Sequence, residues 1–198
     1  MLQSWGRKFA EYVGDHWTRR QVERGIVPKG KTTEEVVASL KRTLPKNRFE
    51  MWGFLEATVR RASGKVEPLG LVSVQKVTTA FAAYVVDSFQ NSTTKPLDVF
   101  KYHASGTGTS AEANTETALV TEVEDRVTGN LGEGSSANIF KTIGTVTYTD
   151  TRAIREHGVF SADEAGTLLD RSLLGTAVNV ENNDQIEWTY QLTVNAES

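Results

Sequence analysis

Three histidines, two glycine-rich turns and a few acidic runs are the places where this sequence could do chemistry. His16, His103 and His157 are isolated from one another, and none forms the paired helical motif that holds a metal. Gly106-Thr107-Gly108-Thr109 looks like a fragment of a phosphate loop, in which backbone amides cradle an anion. The Gly-Lys-Ser/Thr that would supply a lysine and a magnesium ligand does not follow, so it reads as a turn. Gly132-Glu133-Gly134-Ser135-Ser136 lacks a nucleophile-elbow pattern and reads as a loop. Glu122-Val123-Glu124-Asp125 does not have the spacing of a calcium loop and suits a solvated strand end. Asp163 and Glu164 are adjacent, and adjacent strand residues point apart, so they make a poor carboxylate pair. These patterns lead to an expectation of no catalytic residues, no metal ligands and no cofactor.

A different chemistry lies near the start. Trp5, Phe9, Tyr12, Val13, His16 and Trp17 recur at three- and four-residue spacings, among Arg7, Lys8, Arg19, Arg20 and Arg24. Cations with stacking aromatics can bind nucleic acid. The aromatics here share one helical face, which favours docking on protein and leaves nucleic acid as the lesser reading. The expected interface residues are Trp5, Phe9, Tyr12, Trp17, Arg19, Arg20 and Trp52, because aromatics and arginines dominate interface energetics.

The elements that must position these residues follow from spacing. Residues 2–24 read as a helix ended by Gly25, with Pro28-Lys29-Gly30 as loop. Thr32-Thr33-Glu34-Glu35 offers a capping box before a short helix through Val36, Val37, Leu40 and Leu44, stopped by Pro45. Residues 49–75 fit a hairpin turning at Ser63-Gly64, and residues 80–89 a helix with Phe81, Val85 and Phe89 as its stripe. Beyond Pro96 the expected strands are 97–104, 117–123, 138–149, 152–160, 167–174, 176–181 and 184–195, separated by Gly/Asn/Asp turns. In the final strand Ile186, Trp188, Tyr190, Leu192 and Val194 alternate with polar residues. One wet face is typical of an antiparallel sheet. The fold class expected is α+β: an N-terminal helical and hairpin docking segment, then a mainly antiparallel β-sandwich or barrel.

Charge divides the chain in the same way. The 198 residues carry a net charge of −3, but residues 1–65 hold fourteen Lys/Arg against seven Asp/Glu and residues 66–198 hold eight against eighteen. The expected domains are therefore a basic docking segment, 1–65, and a β-sandwich, 66–198. No cysteine is present, which excludes disulfides and thiolate metal sites. No apolar run approaches the roughly 20 residues that span a bilayer, so no membrane partner is expected.

Several stretches taken together also match a family pattern. They are Phe100-Lys101-Tyr102-His103-Ala104-Ser105-Gly106-Thr107-Gly108-Thr109-Ser110-Ala111-Glu112, Thr117-Ala118-Leu119-Val120-Thr121-Glu122, Thr151-Arg152-Ala153-Ile154-Arg155-Glu156-His157-Gly158-Val159-Phe160-Ser161, Gly166-Thr167-Leu168-Leu169-Asp170-Arg171-Ser172 and Val178-Asn179-Val180. This constellation, over roughly residues 70–195, resembles a group of structural proteins of tailed bacteriophages. The Glu156–Phe160 and Gly166–Arg171 pieces are also similar to modules in tail and fibre proteins. The resemblance implies a non-enzymatic virion component. Its first placement is capsid decoration, with neck, tail or fibre association and host-glycan binding through loops 105–116 and 129–137 as alternatives. Its partners would be phage capsid, neck or tail proteins in a homo-oligomer or symmetric array. Residues 1–65 match no pattern of this kind. On the β-domain itself, Val159 or Phe160 is expected in the core with Gly158 allowing close approach. Arg152, Arg155 and Arg171 are expected to pair with Glu156 or Asp170 across strands, worth under about 1 kcal/mol if exposed.

Overall fold

A computed structural model of the chain describes residues 14–23, 28, 30–43 and 50–195. Helix α1 is seen over residues 14–23. Helix α2 (Thr33–Arg42) begins with the expected capping box: Thr32 accepts from the Glu35 amide while the Glu35 side chain accepts from the Thr32 amide. Acidic Glu34 and Glu35 at its start and Lys41 and Arg42 at its end complement the helix dipole.

The expected hairpin is present as β1 (Glu50–Arg60) and β2 (Val66–Lys76), turning through Gly64 at a φ of +86° that a side chain would resist. Helix α3 (Thr79–Gln90) follows, capped by the Thr78 hydroxyl accepting from the Phe81 amide. A 3-10 turn (Leu97–Val99) leads to β3 (Tyr102–Gly106), β4 (Glu122–Thr128), β5 (Asn130–Glu133), β6 (Ile139–Thr147), β7 (Arg152–Phe160), β8 (Leu168–Val180) and β9 (Gln185–Asn195). Two antiparallel sheets result, in the orders β2-β1-β9-β6-β5 and β4-β3-β7-β8, so the chain is α+β with a β-sandwich.

Alternation explains the core. Ile186, Trp188, Tyr190 and Leu192 of β9 are buried and lie beside Val59, Ala57, Leu55 and Gly53 of β1. They pack across the sandwich with Ile154, Val159, Leu169 and Val180. Each large side chain so buried contributes roughly 1.5–3 kcal/mol. β1 is buried on both faces: Trp52 and Phe54 point outward, under Val22 of α1 and Val36, Val37 and Leu40 of α2. The boundary expected at residue 65/66 falls in the hairpin turn, and β1 pairs with β9 along its whole length, so the sandwich begins at residue 50.

One border of the sandwich is closed by a strand that changes sheets. β4 ends at Thr128, Gly129 turns, and β5 continues on the other sheet. A Cβ at Gly129 would lie 2.6 Å from Thr142 Oγ1 and 2.8 Å from the His103 ring, so the corner admits glycine. At the opposite border β2 and β8 leave a groove of about 1180 Å³. Arg61 spans it, donating to the Asn179 carbonyl at 2.7 Å, and beyond the groove the Thr78 amide donates to the Leu169 carbonyl at 2.9 Å.

Several boundaries differ from the sequence reading. Residues 97–99 form a 3-10 turn and pairing starts at Tyr102. Residues 117–121 are not a strand, because their amides bond a side chain rather than a neighbouring strand. Residues 130–133, expected as loop, pair with β6. Segments 167–174 and 176–181 are one strand with a bulge opposite Arg155. In α3 the buried residues are Phe81 and Tyr84, each edge-on to Phe100 at 4.9 and 4.8 Å. That rotation leaves Phe89 87% exposed instead of buried with Phe81.

Candidate functional site

The residues with chemical potential gather on the two faces of the β4-β3-β7-β8 sheet. On its inner face His103 Nδ1 and His157 Nε2 are 3.0 Å apart, and His103 Nε2 is 3.1 Å from Thr142 Oγ1. Alternation places them there: His103 and His157 lie on adjacent strands, β3 and β7, and both are buried. Ser105 accepts from Tyr148 Oη at 2.9 Å and from Trp188 Nε1 at 3.1 Å. Burial drives His103 down to about 3, and burial and then His103 hold His157 well below its ordinary value. Both rings are therefore neutral at ordinary pH. One nitrogen of the pair donates and the other accepts, which fixes complementary tautomers. The histidines are isolated in sequence but adjacent in space, and what the arrangement does is satisfy buried polar groups.

The outer face holds a charged network. The Glu156 carboxylate accepts from the amides of Gly108 (2.9 Å), Thr121 (2.8 Å) and Val120 (3.1 Å), and from Arg171 Nε at 2.6 Å. Burial pushes this carboxyl up, but those four donors outweigh it and hold Glu156 below its ordinary value. A Cβ at either Gly106 or Gly108 would collide with Glu156 Oε1. The glycine-rich turn does cradle an anion, and the anion is the protein's own carboxylate. Arg171 also donates to Glu116 at 2.7 Å and to the Ser110 carbonyl at 3.2 Å. The Arg171–Glu156 pair expected across strands is present, and both side chains are fully buried.

These bonds fasten residues 107–121 as a strap over the outer face. Leu119 packs there with Ala104, Phe160 and Leu168. Gly158 permits that approach, since its Cβ would sit 3.0 Å from Leu119 and 3.1 Å from Leu168. Val159 and Phe160 are both buried, on opposite faces, as the strand period requires. The Glu112 carboxylate accepts from the Leu173 amide. Burial raises Glu112 to about 7 and raises Asp170, which accepts from Tyr190 Oη at 3.0 Å, to about 7.

The expected interface residues divide. Trp5, Phe9 and Tyr12 lie outside the described residues. Trp52 is 1% exposed, its indole donating to Glu50 at 3.0 Å, so within this chain it is a core residue. Arg19 is also turned inward, bonding Glu50 (2.5 Å), Glu23 (3.0 Å) and the Thr43 carbonyl (3.2 Å). Asp15, Thr18, Arg19 and Val22 form the packed face of α1, and Asp15 pairs with Arg42 at 2.5 Å. The Arg42 hydrogen bond is the main reason that Asp15 stays below its ordinary value. Trp17 lies on the opposite side of the helix and is 49% exposed; Arg20 is exposed as well. Trp17, read as part of a docking stripe, thus lies on the surface of this chain, while the inward contacts of α1 are mostly ionic and hydrogen-bonded. Val86 (57% exposed) and Phe89, three residues apart on one face of α3, were read from spacing as helix but not as surface.

Among the described residues no group of histidines and carboxylates is arranged to hold a metal ion, and no helix is long and apolar enough to cross a membrane. No protein-family model, curated protein or solved structure matches this chain.

Proposed function

We propose that the protein is a non-enzymatic structural component of a tailed-phage particle, most simply a capsid decoration protein. In this reading it grips neighbouring subunits through its helices while the β-sandwich serves as a rigid body. The observation that carries the docking role is the exposure of Phe89 and Val86 on one face of α3, with Trp17 beside Arg20 on α1. Large apolar side chains presented together on a surface are characteristic of association sites. A passive body is supported by the use of His103, His157, Glu156 and Asp170 in internal hydrogen bonds. Many copies on a symmetric particle make modest contacts effective by avidity. The phage assignment itself rests on the sequence resemblance over residues 70–195.

The test is incorporation into purified particles. Trp17→Asp and Phe89→Asp variants that remain folded should be lost from the particle, and their retention at wild-type occupancy overturns the docking role. Stoichiometry separates the placements: hundreds of copies mean capsid, and roughly six to twelve mean neck or baseplate. A host-glycan module would instead bind a glycan array as isolated protein.

A further inference from the structure

The strap over residues 107–121 is held at its ends and its middle by different chemistry. At both ends the amides of Gly108, Val120 and Thr121 converge on ionised Glu156. Between residues 109 and 118 the side chains are exposed except two, Glu112 and Glu116, which are half-buried. The apolar stretch of the strap begins after them, so the side chains that fasten the middle are two carboxyl groups, Glu112 on the Leu173 amide of β8 and Glu116 on Arg171, beside two backbone carbonyls, Ser110 on Arg171 and Asn114 on Thr79.

The charges do not balance there. Glu112, Glu116 and Glu156 share Arg171 as their cation, and Asp170 on the same strand adds its own field to Glu112. From α1, Glu23 lines the small pocket that Glu112, Ala113 and Asn114 close, together with Gln75 of β2 and Thr78; Glu23 is itself paired with Arg19. From β9, Tyr190 reaches Asp170. Moreover Glu116 Oε2 is buried without a hydrogen-bond donor, which is the acceptor that an extra proton in the cluster would satisfy.

We propose that the strap is a proton-operated latch: its middle is pinned to β8 while Glu112 is protonated and lifts when that proton leaves, with the two ends still held by Glu156. A neutral Glu112 keeps its carbonyl oxygen for the Leu173 amide and removes a buried negative charge from a cluster already rich in them. An ionised Glu112 must gain water, and residues 109–118, whose other side chains but Glu116 are exposed, are the part of the strap that would carry it there. The sign follows from Glu112 standing near 7 when the strap is closed, against about 4.5 when it is open in water. Closure is fully supported below about pH 4.5 and is lost as pH rises through 7. Lifting the middle also removes Ala113 and Asn114 from beside Val22 and Trp52, and frees the Asn114 carbonyl from the Thr79 amide at the start of α3. The latch therefore communicates with both helices that carry exposed apolar residues.

Hydrogen exchange on the intact protein between about pH 4.5 and pH 8.5, corrected for intrinsic rates, tests this. The opening constant of amides in 109–118 should rise by up to about tenfold per pH unit between about 4.5 and 7 and level off above 7, while those of β7 and β9 show no such step. Glu112→Gln keeps the acceptor oxygen and cannot ionise, so its strap should stay closed and lose the pH dependence. A wild-type strap equally protected across that range, or a variant with the wild-type slope, overturns the latch. A carbon-13 titration of the wild-type carboxyls decides independently of any variant: a Glu112 midpoint near 7 supports it, and one near the ordinary value of 4.5 refutes it.

Discussion

The two faces of the β4-β3-β7-β8 sheet bury ionisable residues in opposite ways. On the inner face His103 and His157 give up their charge: burial holds both neutral, and they share one hydrogen bond while His103 makes another to Thr142. On the outer face Glu156 and Arg171 keep theirs, because each finds several charge-assisted partners at once. The difference is one of supply. The inner face meets another sheet whose backbone is already paired, leaving side-chain hydroxyls such as that of Thr142 as partners. The outer face meets a strap whose amides are not spent on a ladder, and three of them are free to turn onto one carboxylate.

The sharpest way to break this contrast is to remove one charge. Arg171→Leu strands Glu156 and should cost about 3–5 kcal/mol in urea unfolding, a larger loss than any neutral change on the inner face. Gly108→Ala presses a methyl group onto the Glu156 carboxylate, which predicts about 1–3 kcal/mol and weaker protection of the strap amides. The inner face should declare itself through pH. His103 stands near 3 when folded against 6.5 when unfolded, so its contribution is whole above 6.5 and is lost as pH falls toward 3. His103→Gln should flatten the stability–pH curve across that window by up to about 1.4 kcal/mol per pH unit relative to wild type. The comparison with wild type matters because Asp170 and Glu112, raised to about 7, act with the opposite sign and lose their contribution as pH climbs to 7. The smallest expected effect on stability lies outside both faces: Phe89→Ser should stay within about 0.5 kcal/mol of wild type, as at an exposed position that supports no packing. A loss well beyond that would mean that Phe89 holds the fold.

Elements with local causes were legible in the sequence. The β9 alternation, the Thr32 capping box and the β1–β2 hairpin are fixed by neighbours within a few residues, and the structure contains each. The strap was not legible. Ala118-Leu119-Val120 has the composition of a strand, and what diverts it is Glu156, 36 residues away from Val120. The pairing of Arg171 with Glu156 was legible but its burial was not, since the loop that covers it comes from distant sequence. A usable signal did exist: two glycines at 106 and 108, facing a strand that carries a carboxylate, mark a close approach to an acceptor. The orientation of α1 was lost because Asp15 and Arg19 look like surface residues until Arg42 and Glu50 are placed against them. Of the residues expected to form an interface, Trp17 and Arg20 are on the surface, whereas nothing in the local spacing marked Phe89 as exposed.

The pairing of β1 with β9 sets the order in which this molecule can be made. Arg60 and Glu187, which meet across that pair, are 127 residues apart in the chain. A central strand therefore emerges early during synthesis and waits, with Trp52 and Phe54 already sheltered by helices encoded just before it. Leu55, Ala57 and Val59 on its other side have no such shelter until β9 arrives. Contacts so distant in sequence make folding slow, and the interval leaves that half-dressed strand as the place where nascent chains are most prone to stick to one another.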